Sequence, residues 1–172
     1  LSPRDNLPPP EIFTPGPAGD AARRRFGTKF TQTMRREWFT IGIQLGYRYE
    51  HSPIIVPDGT PAPPDEPATY TQTARPGHRA PHAWLSPRQS TLDLFGRGFV
   101  LMRFGGVAEE GAALVDAAAV RGVPLRVCDV ASEEAAALYE RRLVLVRPDG
   151  HVAWRGDEAS GTARVIDTVR GA

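Results

Sequence analysis

A chain of 172 residues can hold one ordinary domain and an extension, because single domains usually span about 100–150 residues. Its 21 basic and 20 acidic residues leave a formal charge of +1, which argues against the strong field of a nucleic-acid or anionic-membrane binder. We therefore expect neither nucleic acid nor membrane among its partners.

Cysteine content and apolar patterning indicate the compartment. Cys128 is the only cysteine, which excludes an internal disulfide and any metal site built from several thiolates. No run approaches the ~20 consecutive apolar residues that a membrane helix needs. The first ten residues are polar and proline-rich where a signal peptide would be apolar. Together these features predict a cytoplasmic protein.

Proline-rich stretches organise the N-terminal half. Because proline lacks the amide donor, residues 1–19 predict an arm without a helix that lies on another surface. Residues 20–36 fit a helix and a strand equally well. Residues 38–56 indicate an extended connection with short strands such as 54–56. A second proline-rich stretch, 57–79, predicts a long surface crossing.

The C-terminal half has the alternating pattern of a compact α/β unit. In chain order it predicts strands at 91–95 and 99–104, a helix at 108–120, a strand at 125–130, a helix at 132–139, a hairpin of 143–146 and 151–155, and a helix at 160–169. This order indicates an α/β fold with a thioredoxin-like mixed sheet flanked by helices, preceded by a proline-rich N-terminal extension. The predicted domains are an arm over 1–34, an extended connecting segment over 35–82 and the thioredoxin-like domain over 83–172.

Four segments in order carry a resemblance to a known family. They are LGYRYEHSPIIVPDG at 45–59, RPGHRAPHAWL at 75–85, STLDLFGRGFVLMRF at 90–104 and RRLVLVRPDGHVAWRG at 141–156. Each resembles the C-terminal region of FAD-dependent aromatic hydroxylases of the phenol-hydroxylase and polyketide-hydroxylase type, whose last domain is thioredoxin-like. The resemblance covers most of the chain.

The resemblance implies a flavin-dependent monooxygenase that hydroxylates an aromatic, polyketide-type substrate, with FAD and NAD(P)H required by the whole enzyme. This sequence has no G-x-G-x-x-G fingerprint after a strand, so we expect no cofactor site in this chain. The implied role of the chain is docking against a flavin-binding domain or subunit, or dimerisation. A fragment, one half of a split enzyme and a stand-alone descendant all fit the sequence.

Thioredoxin chemistry is not expected. The turn that would carry the reactive Cys-x-x-Cys, residues 105–108, reads Gly-Gly-Val-Ala, which excludes dithiol exchange. Cys128 lies in an apolar strand and is expected to be a buried, inert thiol. His78 and His82 have metal-ligand spacing only on a helix, and Pro81 lies between them, so no metal site is expected. No catalytic residue can be assigned.

Several polar and aromatic residues are candidates for contact with a partner or ligand. They are Trp38, Tyr47, Arg48, Tyr49, Arg79, His82 and Trp84. In an extended chain Tyr47 and Tyr49 point to one face while Arg48 meets a carboxylate on the other. The tyrosines favour docking on a flavin domain, and the alternative is an aromatic ligand pocket. Arg79, His82 and Trp84 are expected to fix the crossing onto the domain.

An apolar group at Trp38, Phe39 and Ile41 lies outside the compact unit and predicts a partner: a flavin domain, a second copy or a small molecule. Asp93, Asp149 and Asp157 are expected to cap turns rather than catalyse. Two rival functions stay open. One is a stand-alone thioredoxin-like interaction module, and the other is a small cofactor-free biosynthetic enzyme such as a cyclase.

Overall fold

The computed structural model describes residues 7–105 and 109–172. The N-terminal part is helical: a short 3₁₀ helix at Pro10–Phe13 precedes α1 at Pro17–Trp38. The helical alternative for residues 20–36 is therefore confirmed. The expectation of a helix-free arm is wrong at 10–13 and 17–19, because a proline in the first turn gives up an amide that has no intrahelical partner.

The segment after α1 is less extended than the sequence predicted. A second helix, α2, spans Ile41–Gly46, and residues 54–56 form no strand. Gly42 permits this packing, since a Cβ there would lie 1.8 Å from the carbonyl oxygen of Glu66. The Gly42 amide donates to the Pro67 carbonyl at 3.0 Å, so α2 is held directly against the backbone of the crossing segment.

Residues 57–78 contain no helix or strand, as expected for a crossing. The last part of this crossing is nevertheless buried, with Ala74 and His78 almost fully covered. The crossing and the segment before it attach to the compact unit through backbone hydrogen bonds. Gly77 donates to the Val152 carbonyl at 2.8 Å and Val56 donates to the Ala153 carbonyl at 2.9 Å.

The compact unit is a four-stranded mixed sheet. Its strands are β3 at Phe99–Phe104, β4 at Leu125–Val130, β5 at Leu143–Val146 and β6 at Val152–Gly156, after a small ribbon of β1 at Trp84–Ser86 and β2 at Gln89–Ser90. The order is β4-β3-β5-β6, with β3 and β4 parallel and the other pairs antiparallel. Adjacent β5 and β6 form the predicted hairpin.

Helices cover both faces of this sheet. They are α3 at Ala112–Val120, α4 at Glu133–Tyr139 and α5 at Thr162–Arg170. One core contains α3 and α5 side chains such as Leu114 and Ile166 with Leu101, and the other contains Tyr139 of α4 with Met102. Alternate β3 side chains thus serve opposite faces. The predicted α/β fold, a mixed sheet flanked by helices, is confirmed.

Three local predictions need correction. Residues 91–94 form a 3₁₀ helix rather than a strand, because Ser90 and Asp93 make a reciprocal capping box. The helix expected at 108–120 begins at Ala112, after Gly111 in the left-handed region, so Glu109 and Glu110 precede its first turn. The start of that prediction and most of the 105–108 turn fall on residues 106–108, outside the described residues. Because β4 is an edge strand, Cys128 is half-buried rather than buried.

No helix within 7–105 or 109–172 is long and apolar enough to cross a membrane.

Candidate docking surface and polar network

Exposed apolar side chains cluster where α1 ends and α2 begins. We call this set, Trp38, Phe39, Ile41 and Ile43, the α1–α2 patch. Trp38 is 72% exposed and Ile43 is 57% exposed. The Arg35 guanidinium lies over the Phe39 ring at 5.5 Å, and this contact leaves Phe39 about half exposed. Four exposed large apolar side chains within residues 38–43 indicate an interaction surface.

Tyr47 and Tyr49 follow the patch and lie together, as their alternation predicted. Their rings meet edge to face at 5.0 Å, and the Tyr47 hydroxyl donates to the Tyr49 hydroxyl. Both rings also contact the buried imidazole of His151, at 5.5 Å and 4.9 Å between centroids. The hydrogen bond with Tyr49, followed by desolvation, raises the pKa of Tyr47. This aromatic cluster joins residues 47–49 to the β5–β6 hairpin.

Arg48 is paired with carboxylates, also as predicted. Its Nε donates to Glu50 Oε2 at 3.0 Å and its Nη1 forms an ion pair with Asp65. The hydrogen bond from Arg48 is the largest reason that the pKa of Glu50 is lowered. An open cavity of about 510 Å³ begins at Gly46 and is lined by Tyr47, Arg48, Tyr49, Glu50, His51, Ser52 and Asp65. Its wall therefore combines two aromatic rings with a neutralised guanidinium.

Arg155 is the centre of a second, buried polar cluster. Only 2% of its side chain is exposed, and its Nε contacts Asp58 Oδ2 at 2.6 Å while Nη1 contacts Glu140 Oε2 at 2.8 Å. Thr60 donates to Asp58 from its amide and from its hydroxyl. Burial raises the pKa of Asp58, but the hydrogen bonds from Thr60 and Arg155 outweigh burial and the pKa is lowered. Asp58 is thus a carboxylate matched to a buried cation.

Arg75 connects the two polar groups. Its Nε donates to the Thr60 carbonyl at 2.7 Å, and its Nη2 contacts Glu50 Oε1 at 2.8 Å. His78 lies 3.5 Å from Arg75 Nη1. Desolvation, reinforced by the charges of Arg48 and Arg75, lowers the pKa of His78 to about 4. The imidazole is therefore neutral near pH 7.

The remaining candidates lie at the end of the crossing and just after it. Arg79 is exposed and forms an isolated antiparallel bridge with His151. His82 packs edge to face against Trp84 at 5.1 Å, and Gln72 hydrogen-bonds both the amide and the carbonyl of His82. Trp84 is 58% exposed. These contacts are those expected of residues that hold the crossing, whereas their contact with any partner stays a prediction.

The sequence has no glycine-rich FAD fingerprint, and the open cavity beside Tyr47 is lined by the paired charges of Arg48 and Asp65. Among residues 7–105 and 109–172, no group of three or more His, Cys, Asp or Glu side chains could hold a metal ion.

Sequence reasoning missed Glu50, Asp58, Arg75 and Arg155, the residues that build the network. Arg155 and Asp58 are 97 positions apart, so no local spacing connects them. Arg155 offered one signal, because it is a lone charge inside an apolar strand and such a residue requires a buried partner. The turn-capping predictions hold for Asp93, which accepts from Ser90, and for Asp149, which accepts from His151. Asp157 accepts instead from the Arg142 amide, 15 positions away, so it joins two distant segments and does not cap a local turn.

Comparison with known proteins assigns the family. FAD-dependent monooxygenase apdD of Emericella nidulans is 40% identical over 126 residues, covering 69% of this chain and 20% of that protein. Aklavinone 12-hydroxylase RdmE of Streptomyces purpurascens is 40% identical over 131 residues, covering 69% and 24%. The chain thus spans about a fifth to a quarter of these relatives.

A solved structure agrees over almost the whole chain. The rebeccamycin biosynthetic enzyme RebC with reduced flavin has a TM-score of 0.85 and 46% identity, covering 98% of this chain and 31% of RebC. The family model for the C-terminal region of aromatic-ring hydroxylases matches residues 73–172. The chain therefore belongs to the aromatic-ring hydroxylase C-terminal family.

Proposed function

We propose that this chain supplies the C-terminal part of an FAD-dependent monooxygenase that hydroxylates an aromatic, polyketide-type substrate, and that its own role is docking onto the flavin- and substrate-binding part. The observation that carries the docking role is the exposed α1–α2 patch. The catalytic function is supported by relatives whose names specify FAD, monooxygenase and aklavinone hydroxylase.

The patch can contribute to an interface but does not support one alone. Fully burying one large apolar side chain contributes roughly 1.5–3 kcal/mol. Because the four side chains are 49–72% exposed, covering what remains contributes on the order of 3–7 kcal/mol. Association costs are about 4–15 kcal/mol, so neighbouring contacts are needed for a stable complex.

Charge on α1 indicates the character of the partner surface. Arg24, Arg25 and Lys29 are exposed, whereas Arg23 is paired with Asp20 at 2.6 Å. A partner with acidic side chains beside an apolar depression would complement both features. The partner we propose is the flavin-binding domain or subunit, which would hold FAD and receive NAD(P)H. In such an enzyme the flavin supplies the oxygen-transfer chemistry, and this chain contributes surface and support.

A second candidate function is direct contact with the aromatic substrate. The specific observation is the open cavity of about 510 Å³, whose wall presents the Tyr47 and Tyr49 rings with the Arg48 guanidinium. Aromatic faces and a guanidinium plane are suited to stacking on a planar ring system. This role is compatible with docking, since the cavity begins at Gly46, the last residue of α2.

The docking proposal is tested by mixing the purified chain with a flavin-binding polypeptide of the same family that lacks the matched region. We expect co-elution in size-exclusion chromatography, with flavin absorbance in the same peak. Trp38→Ala combined with Ile41→Ser should abolish co-elution. The control is Val120→Ser, which removes an 84% exposed apolar side chain on α3, away from the patch, and should leave the complex intact.

Two results would overturn docking. If the double variant binds as well as the unchanged chain, the patch is not the interface. If the unchanged chain elutes as a homodimer and never with flavin, the patch serves self-association, and the stand-alone interaction module becomes the better description.

A further inference from the structure

The two polar clusters form one continuous hydrogen-bonded series. It runs from the compact unit to the cavity wall through Glu140, Arg155, Asp58, Thr60, Arg75, Glu50, Arg48 and Asp65. Arg155 lies on β6, whereas Arg48 follows α2 in the connecting segment. The series therefore crosses from one half of the chain to the other.

Burial is deepest at Arg155, and the two ends of the series are exposed, with Glu140 at 56% and Asp65 at 81%. The Arg155 side chain is 2% exposed, Asp58 is 10% and Arg75 is 14%, while Arg48 at the cavity is 19% exposed. Buried charged hydrogen bonds are short and directional, so each partner restricts the orientation of the next. Arg48 has a flexible side chain, and its direction is set by Asp65 and by Glu50, of which Glu50 is itself held by Arg75.

We propose that Arg155 is a positioning residue that holds the Arg48 guanidinium at the wall of the Tyr47–Tyr49 cavity. It acts through Asp58, Thr60, Arg75 and Glu50. The inference rests on the proposed function, because the orientation of Arg48 matters there for the partner or the aromatic substrate that covers the cavity. In this arrangement β6 of the compact unit sets the geometry of the cavity wall, which belongs to the segment after α2.

An arginine is required at position 155 for a geometric reason. The guanidinium contacts Asp58 from Nε, Glu140 from Nη1 and Thr60 from Nη2, which are three directions in one plane. Lysine keeps the charge but is a point donor on a flexible stem, so it cannot hold all three partners. Arg155→Lys thus weakens the series while leaving no buried carboxylate without a cation.

The test measures the hydrogen-exchange rate of the Arg48 Nε–H by NMR in the full chain, relative to the backbone amide of Leu101 in the core. Residues in one network are coupled strongly enough for about a tenfold effect. We expect the Arg48 rate to rise about tenfold in Arg155→Lys while the Leu101 rate is unchanged. The control is Arg121→Lys, which breaks the bidentate pair between Arg121, at the end of α3, and Asp167 of α5, and which should leave Arg48 unaffected.

An unchanged Arg48 rate in Arg155→Lys overturns the proposal, and so does a rise that Leu101 shares in proportion. If Arg155→Lys fails to fold, Asp58→Asn replaces it, because this change weakens the contact between Arg155 and Asp58. The same tenfold rise in the Arg48 exchange rate is expected, and an unchanged rate overturns the proposal. The result does not depend on docking, because it is obtained without a partner. Failure of the proposed function would instead appear as no complex with the unchanged chain, whatever the exchange rates.

Discussion

The Pro81 carbonyl accepts two buried hydrogen bonds, from the Tyr139 hydroxyl at 2.8 Å and from the Thr91 hydroxyl at 2.7 Å, so removing either donor should have a defined cost in stability. Thr91 Oγ1 also accepts the buried Ala83 amide at 3.0 Å. These bonds hold the residues just after the crossing against α4 and against the 3₁₀ helix at Thr91–Leu94. The stability lost when they are removed therefore measures how strongly this segment is attached to the compact unit.

Tyr139→Phe should lower the free energy of unfolding by about 1 kcal/mol, because the carbonyl keeps the Thr91 donor and only one net hydrogen bond is lost. Thr91→Val should cost about 2 kcal/mol, since the Ala83 amide is left buried without an acceptor. In the double variant Pro81 loses both donors. We therefore expect the combined cost to exceed the sum by roughly 1 kcal/mol, as neighbours in one network are not additive.

Urea unfolding followed by circular dichroism at neutral pH measures all four members of this cycle. An additive cycle would refute the shared acceptor. A Tyr139→Phe cost above about 3 kcal/mol would refute it as well, because that size requires a group left unsatisfied or a repacked core rather than one lost bond.

Three further outcomes follow from single sites. Burial lowers the pKa of His78 from 6.5 to about 4, so the unfolded chain binds a proton at a higher pH than the folded chain does. Stability should therefore fall as the pH drops from 6.5 towards 4, and His78→Gln should flatten this decline. If the urea midpoints of both proteins decline equally over this pH range, the prediction is contradicted. Glu140 has a φ of 61°, so Glu140→Gly relieves backbone strain of about 1 kcal/mol while it loses the ion pair with Arg155. Glu140→Ala loses the same ion pair and keeps the strain. The alanine variant should therefore unfold at a lower temperature than the glycine variant, and the reverse order would refute the strain. Leu114 is fully buried, and Leu114→Ala should cost about 2–5 kcal/mol in urea unfolding, while a cost below about 1 kcal/mol would contradict its core position.

Periodicity correctly placed the strands of the four-stranded sheet. The strands at Phe99–Phe104 and Leu125–Val130 have the predicted bounds, and Pro148-Asp149-Gly150 lies between the two strands of the predicted hairpin. These elements are specified locally, by apolar runs of strand length and by turn residues. Ser132, the first residue of the helix predicted at 132–139, caps α4 by accepting from the Ala135 amide.

Local signals failed where tertiary contacts or cap chemistry decide. Proline content hid α1, although Pro17 stands at the position where a helix tolerates it. The apolar run at 91–95 resembled a strand, while Ser90 and Asp93 carried the capping signal of a helical turn. The α2 helix depends on Gly42 lying against Glu66, a contact that no local pattern contains.

The candidate site was predicted in part. The alternation of Tyr47, Arg48 and Tyr49 correctly placed two rings together and a guanidinium with carboxylates, because that geometry follows from an extended backbone. Which carboxylates, and the link to Arg155, could not be predicted, since side chains from distant positions meet only after the chain has folded. The function of these residues as docking or ligand contacts stays a prediction.

Docking through the α1–α2 patch can be tested by hydrogen–deuterium exchange of the full chain, measured alone and in the presence of the flavin-binding polypeptide. We expect new protection over residues 38–49, which contain the α1–α2 patch and the two tyrosines, with little change in α3. Protection confined to α3 and α5, or none at all when flavin-containing partner is in excess, would contradict docking through this surface.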